Sequence, residues 1–260
     1  IAHGAEPRKP IAWADRSLPF LLVGNLRKSS AQLRSSWTTR GPEIPVLEAM
    51  ADMIETAGAL ALENLCYHAL AATGNSDGPL SAPRAIAKIM RYFDPYARAL
   101  MREGILQELA GLPLTVVGDW RGLEASTPDT VRFAGPLDSK TVQDMAEHTK
   151  CIVDTTPAYY RSHERLFEGL AGGSLVAMVG QTDFDDLNAC GALIQANRHD
   201  QLADQIAHFL DDGEDPAQRA DAGRAGQELG GAVSALRVPR RRRLEHQPQL
   251  ALPRPRLQDL

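Results

Sequence analysis

The chain has 260 residues, of which 43% are apolar, enough to bury the core of one large domain or of two small ones. Its three cysteines are widely spaced and include no CxxC pair, which argues against a disulfide framework and against a structural zinc site. We therefore expect a reducing, cytoplasmic location and no metal. No apolar run approaches the roughly 20 residues that a membrane helix needs, so no membrane span is expected.

The net charge of −5 is unevenly distributed along the chain. Residues 237–260 carry seven arginines against Glu245 and Asp259, a local charge of +5, so the remainder sums to −10. Nucleic-acid binding would depend on the arginines at 240–243 alone, with no aromatic platform beside them. We expect instead a solvated, disordered tail over residues 231–260 and no contact with nucleic acid.

The chain starts at Ile1 rather than Met, and residues 1–17 read as a linker or as the remnant of a preceding domain. We expect a fragment or a processed piece of a longer protein. Residues 18–230 then form the predicted domain.

Six short apolar runs, each followed by a turn residue, predict strands, and the first two have the pattern of parallel strands buried on both faces. They lie at residues 19–23, 112–117, 131–134, 151–153, 175–179 and 192–195. Helical patterns separate most of them, which is typical of an α/β protein with a Rossmann-like, doubly wound parallel sheet.

A long interval separates the first two predicted strands and predicts a helical insertion at about residues 42–110. Two helical patterns cover residues 44–72 and 83–109, with a polar, glycine-rich turn at 73–79 between them. They predict a helical hairpin packed on the sheet edge.

Three further helices have recognisable starts. Asp138 is the expected N-cap of the first, and Asp200 precedes the second. Asp215 begins a third helix, with Pro216 at its first position and an end near Leu229.

The loop after the first predicted strand is a candidate phosphate site. Gly24 and Asn25 would let the backbone approach an anion, while Arg27 or Lys28 and the next helix's N–H groups would supply positive charge. A plain turn is the alternative. The loop is neither a P-loop nor a GxGxxG fingerprint, which disfavours a dinucleotide-dependent oxidoreductase.

The most informative stretch is residues 162–173, which predict a helix that ends on glycine and leads directly into a buried strand. Glu164 and Glu168 lie one turn apart on this helix, so both carboxylates can face the loop at residues 154–157. A polar helical face beside a strand end is a common ligand site in open α/β sheets.

Residues 163–173 resemble the RxFExxAxG signature in the C-terminal, nucleotide-sugar-binding half of GT-B glycosyltransferases, especially CgeB-like and group 1 enzymes. This resemblance implies that Glu168 hydrogen-bonds the donor ribose. The family pattern has a second glutamate eight positions earlier, where this chain has Tyr160. Contact with the sugar would then pass to His163 or Glu164.

The same resemblance implies roles for other positions. The loop with Gly24, Asn25 and Lys28 would face the donor diphosphate, Gly135 would meet the nucleobase through its backbone, and Arg165 would contact phosphate or pair with a neighbouring glutamate. No residue is assigned as catalytic. The donor is a substrate, and no cofactor is expected.

The resulting expectation is a glycosyltransferase domain that binds a nucleotide-sugar donor for transfer to an unknown acceptor. A GT-B enzyme also needs a second Rossmann-like domain, which would be missing N-terminal to this one. The alternative is a non-catalytic Rossmann-like scaffold, because fold alone does not decide function.

Overall fold

The computed structural model describes residues 11–57, 61–121, 123, 127–156, 169–170, 172–180 and 191–211, without the side chains of residues 55–57 and 208–211. Its centre is a sheet of six parallel strands in the order β3-β2-β1-β4-β5-β6. The strands are β1 Leu18–Val23, β2 Leu114–Val117, β3 Val131–Gly135, β4 Thr149–Asp154, β5 Leu175–Val179 and β6 Leu193–Ala196. This is the strand order of the Rossmann fold, so the predicted fold class is confirmed.

The central strands are buried because helices cover both faces of the sheet. Phe20, Leu21 and Leu22 of β1 are all buried, as is every residue of β2 and of β5. Phe20 lies opposite both Leu114 and Cys151, which places β1 between β2 and β4. The apolar runs at β2 and β5 therefore correspond to strands with no solvent-facing side, whereas the edge strand β3 exposes Arg132.

The helices are α1 Ser30–Ser35, α2 Ile44–Ala57, α3 Leu62–Ala72, α4 Pro83–Glu108, α5 Ser139–Glu147 and α6 Leu202–Asp211. Asp138 caps α5 as expected, because its carboxylate accepts from the Thr141 amide at 3.0 Å. The Thr141 hydroxyl donates to the same carboxylate, and the hydrogen bonds from the hydroxyl and the amide lower the pKa of Asp138. The helix expected from Asp215 lies outside the described residues.

The insertion after β1 is helical, as predicted, but its first arm consists of two helices rather than one. Ala61 has φ −58° and ψ 137°, an extended conformation that begins α3 as a separate helix. Gly58 stands in the intervening sequence and has low helix propensity. Apolar periodicity continues across this break, so the pattern alone did not show it.

The insertion has its own hydrophobic core, and α4 connects it to the core of the sheet. Trp37 packs against Phe93 and Tyr96 with ring centroids 6.1 and 5.0 Å away. Further along α4, Ile105 and Leu106 are buried among side chains from the strands. One helix of 26 residues, roughly 39 Å long at 1.5 Å per residue, thus belongs to both cores.

Arg16 is a buried cation just before β1, with only 4% of its surface exposed. Its guanidinium donates to the carbonyl oxygens of Thr149 and Gly172, both at 2.7 Å, and to the hydroxyl of Ser174 at 2.9 Å. Each of these acceptors is uncharged, and desolvation lowers the pKa of Arg16. The side chain joins the start of β4 to the turn that precedes β5.

Replacing Arg16 with Met should lower the free energy of unfolding by about 1–3 kcal/mol, because the buried Gly172 carbonyl loses its charged donor. Urea-induced unfolding measures the change. Arg132→Met is the matched control, because Arg132 is exposed on the edge strand β3 and should change stability by no more than about 0.5 kcal/mol. Equal stability of the two variants would contradict a stabilising role for Arg16.

Candidate functional site

The carboxyl ends of the parallel strands meet along one edge of the sheet. The strand order reverses between β1 and β4, because the chain runs outward from β1 to β3 and then returns to add β4 beside β1. Ligands of open α/β sheets bind in the crevice outside this switch point. A ligand site is therefore expected at the loops after β1 and β4.

The loop after β1 is bonded to the loop after β2. The Gly24 amide donates to the Val117 carbonyl at 3.0 Å, and the Leu26 amide donates to the Asp119 carbonyl at 2.7 Å. The exposed Asn25 accepts the Asp119 amide on its side-chain oxygen at 2.8 Å. The side chain of Asn25 thus holds the loop in shape.

Two glycines extend this set of hydrogen bonds to β3. Gly118 has φ +122°, and a Cβ built on it would lie 1.6 Å from the Gly24 carbonyl oxygen, so only glycine fits there. Its amide donates to the carbonyl of Gly135 at 2.9 Å. Gly135 ends β3 with φ +72°, and the loops after β1, β2 and β3 are consequently held side by side.

The loop after β4 begins with a buried carboxylate. Asp154 is 2% exposed, and its Oδ1 accepts from both the amide and the hydroxyl of Thr156, at 3.0 and 2.7 Å. These bonds shape the loop around the carboxylate, as in an Asx turn. Thr155 between them is fully buried and faces Gly24, because a Cβ on Gly24 would lie 3.4 Å from the Thr155 hydroxyl oxygen.

Arg102 of α4 reaches the same crevice, although no sequence pattern marks it as a site residue. Its Nη1 donates to the Asn25 carbonyl at 2.7 Å, and its Nε lies 3.4 Å from the Thr155 hydroxyl oxygen. One side chain therefore contacts the loops after both β1 and β4. An arginine in a long amphipathic helix carries no local pattern, so only the tertiary structure reveals this position.

The N-terminus of α1, whose N–H groups were expected to attract an anion, is already hydrogen-bonded to side chains of the protein. The Ser30 amide donates to the Glu103 carboxylate at 2.8 Å, and Ser29 and Gln32 form a capping box. Lys28 is exposed in this loop, while Arg27 lies 3.4 Å from the Asp119 carboxylate. The carboxylate of Glu103 thus occupies the end of the helix that would attract an anion.

Of the segment that the sequence predicts as a helix with two glutamates, the structure describes only the end. Residues 169 and 170 are helical, and the Ser174 and Gly173 amides donate to the carbonyls of Gly169 and Leu170 at 3.0 and 2.8 Å. With Gly173 at φ +73°, these bonds form a Schellman motif, which confirms the predicted ending on glycine before β5. His163, Arg165 and Glu168 lie outside the described residues.

Gly169 places the end of this helix directly against the sheet. A Cβ on it would lie 2.9 Å from Cγ2 of Val176 and 3.1 Å from Cδ1 of Ile152, which are residues of β5 and β4. Both contacts are too short for any larger residue without movement of a strand side chain. The residue next to Glu168 therefore packs on the two strands that follow the switch point.

Both cysteines in the described part of the chain are unsuited to nucleophilic work. Burial raises the pKa of the Cys66 thiol to about 11 and that of the Cys151 thiol to about 12. Within the described residues, no three His, Cys, Asp or Glu side chains are grouped so that they could hold a metal ion. The described helices include none that is long and apolar enough to span a membrane.

Comparison with known proteins adds a family. The model of the family described as glycosyl transferase-like matches residues 98–230, about half of the chain. Among solved structures, the chain is similar to HepE from Anabaena in complex with UDP-glucose, with 13% identity, a TM-score of 0.40, and coverage of 82% of this chain and 68% of that one. No curated protein matches the chain.

Substituting Gly118 with Ala should lower the free energy of unfolding by at least about 3 kcal/mol, because the new Cβ would overlap the Gly24 carbonyl. Chemical denaturation provides the measurement. Gly111→Ala is the control, because its Cβ would meet nothing within 4 Å, and stability should change by less than about 1 kcal/mol. A Gly118→Ala protein as stable as this control would refute the close contact between the loops.

Proposed function

The chain belongs to the glycosyl transferase-like family, and we propose that it binds a nucleoside-diphosphate sugar and serves in transfer of the glycosyl group to an acceptor. The family match is the observation that carries this proposal. The matched residues 98–230 include the last part of α4 and all strands from β2 to β6. They therefore contain every strand-end loop of the sheet except the one after β1.

The geometry supports an arrangement of the donor along the carboxyl edge of the sheet. Gly24, Asn25 and Lys28 follow β1 at the switch point and would lie beside the diphosphate, while Gly135 at the end of β3 would meet the base. The hydrogen bonds from Gly24 to Val117 and from Gly118 to Gly135 support this arrangement, because they hold these loops side by side.

The ribose would be bound by Glu168. A carboxylate can accept hydrogen bonds from two adjacent hydroxyls at once, which few other side chains do. The close packing of Gly169 on Val176 and Ile152 supports this assignment, because Gly169 directly follows Glu168 in the sequence. His163 and Arg165 of the same segment are proposed to contact the sugar and the phosphates.

Glycosyl transfer breaks the bond between the anomeric carbon and the diphosphate oxygen, and negative charge develops on the leaving diphosphate. Cationic side chains and backbone N–H groups that are already oriented toward this charge stabilise the transition state. The acceptor would be bound by a second Rossmann-like domain, as in GT-B enzymes. We assign no catalytic base to this chain.

One observation favours a second candidate function, a non-catalytic binding module. The Glu103 carboxylate is bonded to the Ser30 amide at the N-terminus of α1, where a phosphate would otherwise find N–H donors. Tyr160 also replaces the first glutamate of the family signature. A scaffold that retained the sheet without the donor site would carry such changes.

The two functions are separated by titrating the full chain with UDP, GDP and their sugar conjugates in a calorimeter. The proposed donor site predicts saturable binding of one of them, and Glu168→Ala should weaken it roughly tenfold, as expected for lost hydrogen bonds to the ribose hydroxyls. Glu63→Ala is the control, because Glu63 is exposed on α3 in the insertion.

Unchanged affinity in Glu168→Ala would reject that ribose assignment. Absence of binding to every nucleotide and conjugate would favour the scaffold.

A further inference from the structure

The loops at the switch point are joined by a cation that none of the assigned donor contacts includes. Arg102 donates from Nη1 to the Asn25 carbonyl and from Nε to the Thr155 hydroxyl, at 2.7 and 3.4 Å. The Nε atom would also lie 3.6 Å from a Cβ on Gly24. The guanidinium therefore lies in the crevice between β1 and β4, beside Gly24, which has no side chain.

Glu103, the residue after Arg102, brings a negative charge close to the loop after β1. Glu103 binds the Ser30 amide and hydroxyl, so the N-terminus of α1 is neutralised by the protein's own carboxylate. A diphosphate placed against α1 alone would meet this negative charge at short range. Arg102, the preceding residue of α4, brings a positive charge to the loops after β1 and β4.

Arg102 differs in exposure from two other arginines near the crevice. Arg27 and Arg121 lie 3.4 and 3.0 Å from Asp119, and both are largely exposed. Exposed ion pairs of this kind are screened by water and by salt. The Arg102 guanidinium is instead half-buried, so water and salt screen its charge less, and two of its contacts are the Asn25 carbonyl and the Thr155 hydroxyl.

We propose that Arg102 binds the diphosphate of the donor and holds the loops after β1 and β4 around it. A guanidinium suits this task because it presents five N–H groups in a fixed plane, so bonds to loop oxygens and to phosphate oxygens can coexist. The inference rests on the proposed function, and it names a specific residue for the phosphate part of the same site.

The test compares ligands that differ only in phosphate. UDP, GDP, uridine and guanosine are titrated into the full chain and into Arg102→Gln, Arg102→Lys and Arg98→Gln. Arg98 is the matched control, because it is one turn earlier on α4 and forms an ion pair with Asp94. Thermal unfolding shows whether each variant is folded. If Arg102→Gln does not fold, Arg102→Lys takes its place in the comparison.

Arg102→Gln should bind the preferred diphosphate roughly 10- to 100-fold more weakly, the range for losing a charge-assisted hydrogen bond, with unchanged affinity for the nucleoside. Arg102→Lys should recover part of the loss, because it restores the charge but not the planar donors. Arg98→Gln should bind like the unaltered chain.

Unchanged diphosphate affinity in Arg102→Gln would overturn the proposal. An equal loss for diphosphate and nucleoside would also overturn it, because Arg102 would then only support the fold of the crevice. If the unaltered chain binds no nucleotide at all, the proposed function itself fails and this inference fails with it. Nucleotide binding by the unaltered chain therefore distinguishes failure of this inference from failure of the proposed function.

Discussion

The close passage of the Gly118 backbone over the Gly24 carbonyl is the constraint on which the candidate site depends. A side chain at residue 118 would begin 1.6 Å from that oxygen, so the ends of β1 and β2 can meet only where glycine stands. The Gly118 amide then continues the contact to Gly135. Three strand ends are thereby joined through their backbones.

The helix α4 determines the charge of that surface. Its first half is packed into the insertion, and its second half is packed into the sheet, so its position is over-determined by two hydrophobic cores. The neighbouring residues Arg102 and Glu103 consequently contact different parts of the loop after β1, the first at Asn25 and the second at Ser30. The insertion therefore does more than lengthen a crossover, because it anchors the helix that brings both charges to the crevice.

Arg16 joins chain segments at the opposite edge of the sheet, where the strands begin. Its bond to the Gly172 carbonyl lies just after the helical residues 169 and 170, at a helix C-terminus, where the helix dipole favours a cation. Together with the Schellman motif at Gly173, this bond fixes how that helix enters β5. The turn before β5 is thus tied to the sheet by interactions that involve no ligand.

The sequence by itself determined the six strands, the helical insertion and the ending of the signature helix, because continuous apolar runs and terminal glycines act through local geometry and burial. It also identified Gly24 and Gly135 as strand-end glycines. The division of α2 from α3, the occupation of α1 by Glu103 and the position of Arg102 were decided only by the tertiary structure. Arg102 meets Thr155 across 53 positions of the chain, and such a contact arises from the packing of α4 on the sheet rather than from any local pattern.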